Sequence, residues 1–130
     1  MKAIEILLVD DIPAVRAGLR SLLSLEPDLM VVGEAADGAS AIDAARALRP
    51  DVVVMDYGMP GMNGIEATRA LKETGSDARV VMLSIRDDMA LKHAAAAAGA
   101  CNFIAKHEPS SRLISAIRNA VTCPREEDTS

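Results

Sequence analysis

Five short apolar runs, separated by helix-like stretches, constrain the fold of this chain more than any other feature. They span residues 4–9, 29–35, 51–55, 79–84 and 101–105 and are built mainly from Val, Ile, Leu, Met and Ala. Nearly continuous apolar runs of this length suit strands buried on both faces. The stretches between them carry helical spacing. Val15, Leu19, Leu22 and Leu23 share one face behind Pro13, and Leu113, Ile114, Ile117 and Val121 share another behind Pro109. Proline is tolerated in the first turn of a helix, where its missing N–H has no partner to lose. Strand–helix alternation implies a parallel sheet with helices on both faces. Right-handed crossovers leave few topologies, and the expectation is an α/β, flavodoxin-like, doubly wound (βα)5 fold with strand order 2-1-3-4-5.

The punctuation agrees. Asn63 followed by Glu66 reads as a capping box, Gly75 and Gly99 fall where helices should stop, and Asp37-Gly38 marks a turn before the second helix. Pro27 and Pro50 follow the first two helices. At 130 residues the chain fits one domain, expected over residues 1–123. Half of its residues are hydrophobic but only 2% are aromatic, so aliphatic side chains must fill the core. A net charge of −5 argues against this domain itself gripping nucleic acid. No apolar run nears the ~20 residues of a membrane span, and the N-terminus lacks a signal peptide's layout. The expected location is therefore cytoplasmic, away from membranes. Cys101 and Cys123 match no metal or redox spacing and read as two separate reduced thiols. Residues 124–130 are polar and read as a flexible tail or the start of a linker to an output domain.

The ends of the runs carry the chemistry. The first stops at Asp10-Asp11, the third at Asp56, the fourth at Ser84 and the fifth at Lys106. In a parallel sheet these ends lie along one edge, where open α/β sheets bind ligands. Strands 1 and 3 would be neighbours, bringing Asp10, Asp11 and Asp56 together. Carboxylates gathered without a counter-ion repel one another, whereas hard oxygen ligands at short range suit Mg²⁺ or Mn²⁺. A divalent cation and Lys106 would formally balance three acids. The same crevice could take a phosphoryl group, with a carboxylate as acceptor. Singly, each residue has a plainer reading: Asp10-Asp11 as a helix cap or turn, Asp56 as a turn residue, Lys106 as a solvated lysine, and Ser84 as the cap of a helix beginning near Asp87.

Taken together, Leu8-Val9-Asp10-Asp11, Asp56-Tyr57-Gly58-Met59-Pro60 with Gly64, Met82-Leu83-Ser84 and residues 99–106 ending in Lys106 resemble the receiver domain of two-component response regulators. The pattern Val31-Val32-Gly33-Glu34-Ala35 with Asp37-Gly38 is similar to the NarL/LuxR-type (FixJ-like) subgroup, whose regulators carry a C-terminal helix-turn-helix. The resemblance implies that Asp56 is phosphorylated by a sensor histidine kinase or phosphotransfer protein. Asp10, Asp11, Asp56 and the Gly58 carbonyl would bind Mg²⁺. Lys106 would pair with the phosphoryl group, and Ser84 and Phe103 would act as the switch. The face made by the fourth helix, fifth strand and fifth helix would then change, with homodimerisation on activation. DNA would be reached only through an output domain, in transcription regulation. Such a domain is not a conventional enzyme, although it catalyses its own phosphotransfer and autodephosphorylation.

Three positions depart from or vary within the pattern. His107 follows the lysine where many receivers have proline, and Gly58 and Arg86 occupy the places that tune hydrolysis of the acyl phosphate. Alternatives stay open at this point: a stand-alone receiver, or one acting by protein–protein contact without phosphorylation. A metal-dependent phosphatase using an aspartyl-phosphate would want a second Asp where Gly58 stands. A flavin or dinucleotide binder would want a Gly-rich loop where acidic Asp10-Asp11 stands.

Overall fold

The computed structural model describes residues 2–123, and expectations about residues 124–130 fall outside it. Strands and helices alternate without exception: β1 (Ile4–Val9), α1 (Pro13–Leu23), β2 (Leu29–Ala35), α2 (Gly38–Leu48), β3 (Val52–Asp56), α3 (Gly64–Glu73), β4 (Arg79–Ser84), α4 (Met89–Ala98), β5 (Ala100–Ala105) and α5 (Ser110–Ala120). The five strands form one parallel sheet in the order β2-β1-β3-β4-β5. The flavodoxin-like order expected from the sequence is thus the observed one. Register aligns the strand ends: Val9 lies opposite Met55, Asp56 opposite Leu83, and Ser84 opposite Ala105.

Alternate residues of the buried strands feed two separate cores. Leu7, Val9, Val53, Met55, Val80 and Met82 point to the side covered by α2, α3 and α4. Ile6, Leu8, Val52, Val54, Val81 and Leu83 point to the side covered by α1 and α5. Both faces being apolar explains why these strands read as runs rather than as alternating patterns.

Helix ends follow the sequence signals closely. Asp37 caps α2 by accepting the Ser40 amide at 2.7 Å, and Asn63 and Glu66 form a reciprocal capping box on α3. Gly99 ends α4 at φ 112°, a left-handed conformation that costs glycine little. The fourth helix starts later than Asp87, because Asp88 is its cap and accepts the Leu91 amide at 2.8 Å. Ser84 therefore does not cap it.

One expectation is overturned. Cys101 and Cys123 are joined as a disulfide, with Cα atoms 6.2 Å apart. They are 22 residues apart in sequence, but the fold returns α5 antiparallel to β5 and brings its C-terminal end to the start of that strand. No helix among the described residues is long and apolar enough to cross a membrane.

A carboxylate–lysine site at the carboxyl edge of the sheet

Four strand ends and one loop build the site. Asp10 follows β1 and is buried; its Oδ1 accepts the Ile12 amide at 2.9 Å, which turns the chain away from the sheet. Arg16 braces this turn from α1, with Nη1 donating to the Asp10 carbonyl at 2.5 Å and Nε donating to Glu34 on β2 at 2.9 Å. Asp56 is the last residue of β3 and is also buried. Directly beneath it α3 begins at Gly64, where an added Cβ would come within 2.5 Å of the Asp56 carbonyl oxygen. Any side chain there would push the helix off the strand end, so Gly64 is required by close approach.

Lys106 leaves β5 and reaches back across the edge. Its Nζ lies 2.9 Å from Asp56 Oδ1 and 3.3 Å from Asp10 Oδ2. The Lys106 amide donates to the Ser84 carbonyl at 2.7 Å, locking β5 to β4 at the site. Carboxylate oxygens of Asp10, Asp11 and Asp56 lie within 4.8 Å of one another. Asp11 Oδ1 is buried and has no hydrogen-bond partner among the described residues. An unsatisfied buried carboxylate oxygen is costly unless something else satisfies it. Three acids against one lysine leave two negative charges, and the all-oxygen donor set fits a divalent cation such as Mg²⁺.

The electrostatics point the same way. Burial pushes the Asp56 carboxyl up; the Lys106 hydrogen bond pulls down, the Asp10 charge pushes up again, and the net direction is upward. For Lys106, burial pulls down, but its hydrogen bond to Asp56 and the charges of Asp56 and Asp10 outweigh that and raise it. Lys106 therefore stays charged, and it is not enough by itself to hold Asp56 at an ordinary carboxylate value.

The remaining expected residues fall around this centre. A backbone hydrogen bond at Gly58 supports the Asp56 carboxylate, and a Cβ on Gly58 would meet nothing within 4 Å. Ser84 is buried beside the edge, with Oγ accepting the Arg86 amide at 3.0 Å. Phe103 is half-buried and packs on the core beneath α4. The Arg86 guanidinium turns to Asp88 at 2.9 Å rather than to the acids. Exposed His107 approaches Asp87 at 3.8 Å, and Pro109 serves as the boundary of α5. Two supports were not read from the sequence: the Arg16–Glu34 brace, and Glu108, whose carboxylate accepts the Ala105 amide at 2.7 Å. Arg16 and Glu34 lie 18 residues apart with no shared pattern, so only the fold pairs them.

Comparison with known proteins is specific. The family model described as the response regulator receiver domain matches residues 6–118. The nitrate/nitrite response regulator protein NarP of Escherichia coli (strain K12) is 40% identical over 114 residues, covering 88% of this chain and 53% of NarP. The response regulator UvrY of the same strain is 38% identical over 122 residues, 94% of this chain and 56% of UvrY. The chain thus spans about half the length of these curated relatives. Among solved structures, the signal receiver domain of NarL from Mycobacterium tuberculosis superposes with a TM-score of 0.89 at 32% identity, covering 95% of this chain and all of that one. A LuxR-family response regulator from Aurantimonas sp. SI85-9A1 gives 0.90 at 37% identity, covering 95% and 89%.

Proposed function

This chain belongs to the response regulator receiver family, in its NarL/LuxR branch, and from that premise we propose that Asp56 is its phosphoryl acceptor. The donor is the phosphohistidine of a sensor kinase or phosphotransfer protein. An Asp56 carboxylate oxygen attacks phosphorus; the new O–P bond forms as the N–P bond of the donor breaks, and the departing imidazole takes a proton from solvent. One observation carries the reading: three carboxylates converge within 4.8 Å while Lys106 Nζ sits 2.9 Å from the oxygen assigned to attack.

Asp10, Asp11 and Asp56 hold Mg²⁺, with the Gly58 carbonyl as a further ligand, and Mn²⁺ fits the same donors. Bound there, the cation supplies positive charge to the phosphoryl oxygens. Lys106 pairs with the phosphoryl group and so gives up part of its present contact with the acids. Because α3 packs closely on the Asp56 backbone at Gly64, the acceptor is held in place while the partner residues adjust. Ser84 exchanges its bond from the Arg86 amide for one to the phosphoryl group, and the β4–α4 loop moves with it. Phe103, packed by apolar contact alone, fills the space behind Ser84. The face of α4, β5 and α5 is thereby altered, and the chain dimerises on activation. Output passes to a C-terminal helix-turn-helix in a cytoplasmic transcription regulator. The chain promotes its own phosphorylation and dephosphorylation but turns over no separate substrate.

The test is intact mass after incubation with acetyl phosphate and Mg²⁺, alongside Asp56→Asn. The expected result is one phosphoryl group on the wild type, dependent on the cation and absent from the variant. Uptake retained by Asp56→Asn would assign the acceptor elsewhere.

A further inference from the structure

A cavity lies at the opposite edge of the sheet from the acids, where β3 and β4 begin. It encloses about 490 Å³ between the end of α2 and the α3–β4 loop, and three arginines line it: Arg46, Arg49 and Arg79. Asp51 and Asp77 also line it, leaving one positive charge in excess in a chain of net charge −5. Asp51 is already engaged, because its Oδ2 accepts the Glu5 amide at 2.8 Å. Neither the Arg46 nor the Arg49 guanidinium has a hydrogen-bond or ion-pair partner among the described residues.

Two further observations indicate what these guanidiniums face. Arg49 holds φ 49°, ψ 58° and is the only non-glycine residue at positive φ among those described. A bulky side chain in the left-handed region carries a cost that glycine would avoid at this helix end. Arg79 donates from Nε to the Cys123 carbonyl at 3.3 Å, so the chain leaves the described fold at the rim of this cavity. The sequence then reads Pro124-Arg125-Glu126-Glu127-Asp128. At about 3.3 Å per extended residue, three residues span roughly 10 Å, enough to carry a carboxylate from Cys123 into the groove. Tethering makes such a contact intramolecular, with an effective concentration of about millimolar for short connections.

We propose that the Arg46–Arg49–Arg79 groove is a carboxylate-binding site for this chain's own Glu126-Glu127-Asp128 run. The planar guanidinium fork suits carboxylates, and surface pairs of this kind are screened by salt.

The test is two-dimensional amide and arginine Nε–H NMR on the full 130-residue chain against Glu126→Gln/Glu127→Gln/Asp128→Asn. The expected result is displaced resonances at residues 46–51 and 75–79 and none at the acid edge. Raising the salt to 0.5 M should produce the same displacements in the wild type. In an Arg46→Gln/Arg49→Gln background, the triple substitution should then produce little further change. Indistinguishable spectra at low salt would overturn the proposal. So would displacements that fade on dilution, which would place the contact between two copies. Inorganic phosphate is the third arm. If it perturbs the groove equally in wild type and triple variant, which otherwise do not differ, the site takes free oxyanions and the assigned occupant is wrong.

Discussion

Helices α4 and α5 flank the same edge strand, β5, yet they are held by different means. Helix α5 buries Leu113, Ala116, Ile117 and Ala120 against the sheet. Arg118 then clamps its end to Asp28 at 2.9 Å and Glu26 at 2.7 Å, and the Cys101–Cys123 disulfide ties the residues just after it to the start of β5. Helix α4 buries Leu91 and two alanines, Ala95 and Ala98, which belong to the run Ala94–Ala98. Alanine favours helix intrinsically but brings little volume to a contact. One helix is therefore a fixed wall, while the other keeps its own shape and is only lightly attached. Of the two helices beside the strand that ends in Lys106, the lightly attached one has less packing to lose if it shifts.

That contrast can be broken in several ways, and the largest effect belongs to the fixed wall. Ile117 is fully buried, so Ile117→Ala should cost about 2–5 kcal/mol in urea denaturation. A loss under about 1 kcal/mol would mean that α5 is not the anchor. Next comes the disulfide. It closes a 22-residue separation, so reduction, or Cys123→Ser, should remove roughly 3 kcal/mol, checked by denaturation with and without reductant. Equal midpoints in both conditions would show that the packing of α5 does not depend on the bridge.

Leu91→Ala tests the other helix. Its cost should lie near the lower end of the range for such truncations, about 2 kcal/mol, since its neighbours are small enough to close in. The sharper reading is hydrogen exchange: amides of α4 should lose protection while those of α5 keep it. Uniform loss across both helices would erase the distinction.

The smallest effect is a pH dependence confined to α4. The Leu91 amide bonded to Asp88, opposed by slight desolvation and reinforced by Arg86, holds the Asp88 carboxyl below its ordinary value of 3.8. Since the folded value is the lower one, the stabilisation is present above the unfolded value and is lost as pH falls through the folded one. Protection of the first turn of α4 should fall on acidification below about pH 4 and should do so less in Asp88→Asn. An identical acid response in that variant would assign the effect to another group.

The strands were legible because burial on both faces leaves an unmistakable apolar run, and parallel order follows from the alternation. The acids and Lys106 were legible because each directly terminates such a run, so the edge of the sheet can be inferred before any contact is known. Helix caps were legible where the cap and its third neighbour are local, as at Asn63 and Glu66. What failed was non-local or depended on a single turn. The Cys101–Cys123 pairing requires the length and direction of α5 relative to β5, which spacing does not encode. Ser84 reads as a cap by type, but the loop is a few residues longer than its hydroxyl can serve, and Asp88 takes the role. The arginine groove assembles residues from a helix end, a loop and a strand start, with no pattern linking Arg46 to Arg79.

The bond from Arg79 to the Cys123 carbonyl also bears on how this molecule would be instrumented. It pins the end of the described fold to the edge of the sheet opposite Asp56, across strands five to seven residues long, or roughly 17–23 Å. A fluorophore on exposed Thr122 would sit beyond direct reach of the chemistry. Any change in its emission on loading the acid edge would therefore register transmission through the body of the domain, free of local quenching.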